Sequence, residues 1–342
     1  MAIVLIIGHL LEIYFVMKED AVETGDELVS VIITAFNEER FIGQAIESFL
    51  CQSYKHIEII VVNDGSTDKT PQILNEYSLS CNNVKVIHFP VNRGKVVAQN
   101  SAFEQSVGKY IAIMGGDDYA AYSRIKTQVD YLIENKVSIV YSNSYMVDEN
   151  NFCLIDRPVL FKSIPNLITL ERVINGGGFP GGSILFTRDL AEKIYPFPSN
   201  LPYEDLWFNF IAVIHGQIGY LHEPLNYYRQ HSDNSYGLYQ QRSFSDFKKR
   251  YLFLRQRVVP YLEEMKRYLL NQGLWDMKTQ GLYERSRDTL KVELETNVFT
   301  RLKLCIILFW KYGFSLSYKQ IIAYIFIDIV MILKFTTNSI RR

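Results

Sequence analysis

The sequence predicts an α/β fold, a mostly parallel sheet flanked by helices, followed by a C-terminal helical extension. Three observations carry this. From residue 28 to residue 143, short apolar, β-branched runs alternate with segments whose apolar residues recur at helical spacing. The segments follow one another at distances that suit right-handed βαβ crossovers and are too close for separate domains. Each of the first four apolar runs ends in a short polar or glycine-containing stretch. In a parallel sheet such stretches gather at the carboxyl edge, where open α/β sheets bind their ligands.

The elements follow in order. LVSVIIT, from residue 28, is a fully buried strand by its unbroken apolar run. NEERFIGQAIESFLCQ is a helix, with Phe41, Ile42, Ala45, Ile46, Phe49 and Leu50 along one stripe. IEIIVVN is the second strand, and DGSTDKTPQILNEYS a turn and a helix. In that helix Ser66, Thr67 and Asp68 are cap candidates, and Pro71 falls in the first turn, where its missing N–H costs little. VKVIHF is a strand, RGKVVAQNSAFEQS a helix and KYIAIM a strand. SRIKTQVDYLIEN and VSIVYSN read as a further helix and strand. Beyond residue 150 the pattern loosens. INGGGFPGGSILF is a glycine-rich loop entering a strand, LPYEDLWFNFIAVIHG a loop and helix, and LHEPLNYYRQHSDNS a strand and polar loop. Residues 241–296 are helical and charged, and LKLCIILFW and QIIAYIFIDIVMILKF are apolar clusters. The expected boundaries are an apolar segment at 1–27, a catalytic domain at 28–240 and the helical extension at 241–342.

Charge is distributed unevenly. The formal net charge is −1, yet residues 301–342 hold seven lysines and arginines against the single acid Asp328. That tail therefore carries +6 and the preceding 300 residues −7. Its basic residues are interleaved with large apolar ones, which suits a membrane surface and not nucleic acid. The second cluster reads as an amphipathic helix in the headgroup region, the alternative being a cover for the catalytic domain's own core. MAIVLIIGHLLEIYFVM at the start contains His9 and Glu12 and lacks a signal peptide's basic start and cleavage site. It is short for a spanning helix, which needs about 20 residues, and reads as an interfacial or packed helix. Cys51, Cys81, Cys153 and Cys305 have no CxxC spacing, which argues against a zinc site or disulfide framework and fits packing roles in a reducing compartment. With 48% hydrophobic and 21% charged residues the chain is not disordered.

Four loops follow the first four strands: TAFNEE (34–39), NDGSTD (63–68), NRGK (92–95) and GGDD (115–118). No GxGxxG follows the first strand, so a dinucleotide fingerprint is absent. The adjacent carboxylates of Asp117 and Asp118, at the end of an apolar strand, suit a hard divalent cation and a phosphate. Mg2+ and Mn2+ take oxygen ligands and share them with substrate phosphates, so one or two protein carboxylates suffice. A basic side chain on the third loop, Lys95 or Arg93, suits a diphosphate.

Taken together, TAFNEE, VVNDGSTD, NRGK and GGDDYA, with YEDLW and YYRQHSDNS downstream, resemble the family-two glycosyltransferases of the GT-A fold. The resemblance spans roughly residues 28–235. It implies a nucleotide-sugar half at 28–122 and an acceptor half at 123–240. In its terms Asp64 reads the base of a nucleotide diphosphate-sugar, most simply a UDP-sugar; Thr34 and Phe36 line the base; and Glu38 lies near the ribose. Asp118 is the metal ligand, with Asp117 beside it facing ribose or metal. Many relatives carry an aspartate where this chain has Gly115. The general base maps to Asp205, opening a helix after the glycine-rich loop. Arg229 and His231 form an Arg–x–His on a loop that closes over the diphosphate, His231 serving as an added metal ligand. The implied reaction is inverting and dependent on Mg2+ or Mn2+. The acceptor is a glycan or polyprenyl-linked hydroxyl, and the expected location is cytoplasmic, peripheral on the inner face of the plasma membrane, in cell-surface polysaccharide synthesis. Two other classes share features with this pattern. A nucleotidyltransferase would carry a basic, glycine-rich loop after the first strand, where TAFNEE is acidic. A non-catalytic nucleotide-sugar-binding scaffold would not need the aspartates intact.

Overall fold

A computed structural model describes residues 27–154, 168–176, 178–179, 181–231, 244–295, 300, 303–304, 307–308 and 311. The apolar stretch at 1–17 and the cluster at 320–335 lie outside the described residues. The described residues fall into two compact units. One comprises 27–154, 179, 181–199 and 203–231; the other comprises 168–176, 178, 200–202 and the residues from 244 onward.

The first unit is built on one eight-stranded sheet. Its elements are β1 (Val29–Ala35), α1 (Ile42–Leu50), β2 (Ile57–Asn63), α2 (Thr70–Ser80), β3 (Val84–His88), α3 (Lys95–Glu104), β4 (Tyr110–Gly115), β5 (Tyr119–Ala120), α4 (Arg124–Asn135) and β6 (Ile139–Asp148). A short 3-10 turn, Gly181–Ser183, precedes β7 (Ile184–Thr187), α6 (Arg188–Ile194), α7 (Asp205–His215) and β8 (Ile218–Gln230). The second unit holds α5 (Leu170–Ile174), α8 (Phe244–Asn271) and α9 (Met277–Leu294).

The strand order is β3-β2-β1-β4-β7-β6-β8-β5. β3, β2, β1 and β4 are mutually parallel, as the alternation predicts. β1 and β2 are buried along nearly their whole length because helices cover both faces. Val29, Val31, Ile33 and Ala35 pack with Ile42, Ala45, Ile46 and Phe49 of α1, Leu74 of α2 and Ile125, Val129 and Leu132 of α4. The alternate residues point to the opposite face, where α3 packs on β1 and β2.

Two features depart from the linear reading. β7 runs antiparallel between β4 and β6, so the sheet is mixed beyond its fourth strand. A two-residue strand, β5, follows the aspartates and pairs antiparallel with β8, Tyr119 opposite Tyr227 and Ala120 opposite Asn226. The Asp117–Asp118 turn is thus anchored on both sides by strand pairing. The first helix also begins later than its apolar stripe suggests, at Ile42, because Asn37 takes a left-handed conformation (φ 57°) that ends any helical path through NEER.

Candidate active site

The four loops meet at the carboxyl edge of β1–β4 and are fastened to one another. Asn37 donates its N–H to Ser66 Oγ (2.9 Å), and its Oδ1 accepts from the Thr67 N–H (2.8 Å). Glu39 donates its N–H to Asp68 Oδ2 (3.0 Å), and its Oε2 accepts from the Lys69 N–H (2.8 Å). These reciprocal bonds join the first loop to the second. Burial acts against the Asp68 charge, but hydrogen bonds from Thr70 and Glu39 outweigh it and hold the carboxyl below its ordinary range.

The second and third loops are joined through Asp64 and Gly65. The buried Asp64 carboxylate accepts the backbone N–H groups of Arg93 (2.7 Å) and Gly94 (2.9 Å), one on each oxygen. Gly65 adopts φ +72°, and a Cβ there would fall 2.3 Å from the Val91 carbonyl carbon. Both the conformation and the approach exclude a side chain. Gly65→Ala is therefore expected to cost about 2 kcal/mol or more by forcing strained backbone and a displaced third loop. A urea denaturation midpoint would register the loss.

The first and fourth loops meet where the Gly116 N–H donates to the Thr34 carbonyl (3.1 Å). Thr34 is half-buried at the end of β1, and Phe36 projects from the edge at 44% exposure. The Glu38 N–H is held by Thr70 Oγ1 (2.8 Å). Asp118 is 9% exposed, and its Oδ1 accepts the Arg229 N–H (2.8 Å). Burial and the neighbouring Asp117 charge push the Asp118 carboxyl well above its ordinary range, despite Arg229 and Lys95. His231 Nε2 lies 3.4 Å from Asp117 Oδ2, with the ring tilted against Phe41 at 5.0 Å. A Cβ on residue 115 would sit 2.6 Å from Asp117 Oδ1, so glycine at this position leaves room for Asp117 as it is turned here.

Asp205 opens α7 and is drawn toward Asp118 by the glycine turn. The Gly181 N–H donates to Asp205 Oδ1 (2.7 Å), and a Cβ on Gly182 would lie 3.8 Å from Asp118 Oδ2. Asn226 of β8 holds the turn from the sheet, donating Nδ2–H to the Gly182 carbonyl (2.8 Å). Asn209 pins the same region to the first turn of α7. Its Nδ2 donates to the Phe179 (2.9 Å) and Asp205 (2.6 Å) carbonyls, while its Oδ1 accepts the Phe179 N–H (3.0 Å). Burial, then the adjacent Glu204 charge, push the Asp205 carboxyl up to about 7, against Lys95 and the Gly181 N–H. A general base serves best with a proton affinity near that value.

Three basic residues differ from the sequence expectation. Arg229 does not face an open diphosphate site. It is 1% exposed, and its guanidinium donates to the Asp117 carbonyl (2.7 Å), the Glu149 carbonyl (3.3 Å), Asn151 Oδ1 (2.8 Å) and Gln44 Oε1 (2.7 Å). It also lies over the Phe41 and Tyr119 rings, at 4.6 and 5.3 Å. The fork geometry that suits a diphosphate suits these convergent acceptors equally. The Lys95 ammonium reaches Glu204 Oε1 at 2.6 Å, because a carboxylate as buried as Glu204 demands a cation. Burial acts against the Lys95 charge, but Glu204, Asp205 and Asp117 hold it above its ordinary range. Arg93 turns away and stacks on Phe89 at 5.0 Å.

Tyr228 of β8 lies within electrostatic reach of Asp118 and Asp117. Burial and the charges of Asp118 and Asp117 push the Tyr228 phenol above its ordinary range. Its partner in sequence, Tyr227, stacks on Tyr119 at 4.4 Å.

Residues 30–194 match the family described as Glycosyl transferase family 2. A relative from Escherichia coli, the UDP-Glc:alpha-D-GlcNAc-diphosphoundecaprenol beta-1,3-glucosyltransferase WfaP, is 32% identical over 189 residues, 54% of this chain and 71% of that protein. The chain belongs to glycosyltransferase family 2. It is an enzyme of that family, which uses nucleotide sugars, and this removes the nucleotidyltransferase and scaffold alternatives. Two solved structures share the fold of this glycosyltransferase. TarS 1-349 of S. aureus in complex with UDP-GlcNAc superposes with a TM-score of 0.51 at 20% identity, covering 78% of this chain and 82% of that one. Mannosyltransferase PcManGT of Pyrobaculum calidifontis, in complex with GDP-Man and Mn2+, gives 0.50 at 16% identity, covering 96% of each. The fold is GT-A-like.

Among the described residues no group of three or more His, Cys, Asp and Glu side chains is placed to hold a metal. The site presents a pair of carboxylates, Asp117 and Asp118, and His231, expected as an added ligand, is not grouped with both of them for a metal. A hard divalent ion is commonly bound by one or two carboxylates together with substrate phosphates, and this donor set fits it.

Proposed function

We propose that this family 2 glycosyltransferase moves a sugar from a UDP-sugar to a hydroxyl group with inversion at the anomeric carbon. The observation that carries the reading is the Gly181–Gly182 turn, which touches Asp205 on one side and approaches Asp118 on the other. Asp205 and Asp118 thus flank one glycine turn.

In this reading the base lies against Phe36 and Thr34. Asp64 reads it with the second lone pair that each of its oxygens keeps, while continuing to strap the third loop. The acceptor hydroxyl gives its proton to Asp205 as its oxygen forms the new bond to the anomeric carbon. The bond from that carbon to the diphosphate oxygen breaks, and UDP leaves with the electron pair. Asp117 and Asp118 would hold Mg2+ or Mn2+ together with the substrate phosphates, the ion when bound supplying the positive charge that stabilises the leaving diphosphate. Arg229 keeps the Asp117–Asp118 turn in place.

The acceptor is a glycan or polyprenyl-linked hydroxyl. WfaP, by its name, acts on a diphosphoundecaprenol-linked sugar, and the basic, apolar residues of 301–342 suit the same kind of surface. The proposed location is peripheral, on the inner face of the plasma membrane, in surface polysaccharide synthesis. Among the described residues no helix is long and apolar enough to cross a membrane.

The test is release of nucleoside diphosphate from a panel of nucleotide sugars with Mg2+, Mn2+ or EDTA, on wild type and Asp118→Asn. Metal-dependent release from one UDP-sugar, reduced about 100-fold or more in the variant, is the expected result. Release that is indifferent to EDTA would remove the metal from the proposal.

A further inference from the structure

The ion pair between Lys95 and Glu204 has no evident structural purpose. Glu204 occupies the N-cap position of α7, yet its side chain does not cap the helix. It is 1% exposed, and apart from the Lys95 ammonium its carboxylate has no hydrogen-bond partner among the described residues. A buried ionised carboxylate held by one cation is a poor stabilising device, since its desolvation offsets the attraction. A serine or threonine here would cap the helix at lower cost.

What the pair does is hold charge next to Asp205. Glu204 precedes Asp205 on α7, and Lys95 comes from the first residue of α3. Among the described residues Tyr141 of β6 lies within electrostatic reach of Asp205, the Gly181 N–H donates to its carboxylate, and Asn209 Nδ2 donates to its carbonyl. Asp117 acts on Lys95, and Tyr195 faces Glu204. Lys95 in turn follows directly on Arg93 and Gly94, whose N–H groups are both bound by Asp64.

We propose that Glu204, paired with Lys95, is a positioning residue for catalysis: its negative charge sets how strongly Asp205 takes the acceptor proton, and Lys95 ties that setting to the nucleobase loop. The proposal rests on reading Asp205 as the general base. The like charge beside Asp205 favours its protonated form, so removing that charge makes Asp205 a weaker base that ionises at lower pH.

Glu204→Gln keeps the shape and removes the charge, and it also removes a buried ion, so the variant should fold. The expected result is an acidic limb of kcat/KM displaced to lower pH by about one unit or more. The plateau kcat should fall about 3- to 10-fold, with the donor KM unchanged. Lys95→Arg should retain activity, and Lys95→Met should lose it. An acidic limb that stays in place in Glu204→Gln, whatever the rate, would overturn the proposal. Asp205→Asn separates the two readings. If it abolishes transfer while Glu204→Gln leaves the limb unmoved, the base stands and the positioning role falls. If Asp205→Asn retains transfer, the base assignment and the positioning role fall together.

Discussion

Asp205→Asn should reduce kcat by about 10²- to 10⁴-fold, the range that a positioned general base contributes, and leave UDP affinity near that of wild type. The amide keeps the size of the carboxylate and can still accept the Gly181 N–H through its oxygen, so the site should keep its shape. In wild type, transfer should fall as pH drops through about 7, because burial and the Glu204 charge keep Asp205 protonated up to there. The same substitution should raise stability. The folded protein retains the Asp205 proton to about 7, whereas an unfolded aspartate releases it near 4. Folding therefore opposes ionisation, and the penalty grows as pH rises from about 4 to about 7 and is fully present above that. Asp205→Asn removes it, so the melting temperature should rise at pH 8 and change little at pH 4. A more stable, inactive variant is what a strained catalytic group produces. A variant that is inactive because it is unfolded would contradict this account, and thermal melts at the two pH values distinguish them.

The parallel half of the sheet was legible because the sequence pattern is local there. Unbroken apolar runs such as IEIIVVN mark doubly covered strands, and 3.6-residue spacing marks the helices between them. Asp64, Asp117, Asp118 and Asp205 could be singled out for the same reason: each lies at the boundary of an element that its own neighbourhood defines. The antiparallel insertion of β7 was not legible, because ILFT is four residues whose partners, β4 and β6, are both distant in sequence. β5 was missed for a similar reason, since two residues carry no period and its pairing with Tyr227 and Asn226 lies more than a hundred positions away. The partners of the basic residues were the least legible. An arginine's spacing says where its Cα lies, but its long side chain reaches toward whichever acceptors the fold assembles. Arg229 meets four, from the turn after β4, α1 and the turn after β6, and these come together only in three dimensions.

Arg229 yields the second large effect. Arg229→Met preserves the backbone N–H that holds Asp118 but releases the Asp117 carbonyl, Gln44 and Asn151. It also removes the cation from between Phe41 and Tyr119. Water can reach some of the freed acceptors, so the expected loss is about 2 kcal/mol, read as a lower denaturation midpoint. The larger effect should fall on turnover. In the proposed mechanism Asp117 and Asp118 meet one ion and one diphosphate, and a misplacement of about 1 Å at a reacting centre can cost about 100-fold. Arg229→Lys distinguishes this role from contact with the donor. Lysine is a competent phosphate partner as a point charge, so a diphosphate-binding arginine replaced by lysine should retain most donor affinity and much of the rate. An ammonium cannot reproduce the planar fork that spans Asp117, Asn151 and Gln44. If Arg229 acts by positioning, Arg229→Lys should be nearly as slow as Arg229→Met, with the metal concentration needed for half-maximal turnover raised in both and UDP affinity measured without metal little changed. Near-wild-type turnover in Arg229→Lys would return Arg229 to the diphosphate, because only a role that needs charge without a fork survives that exchange.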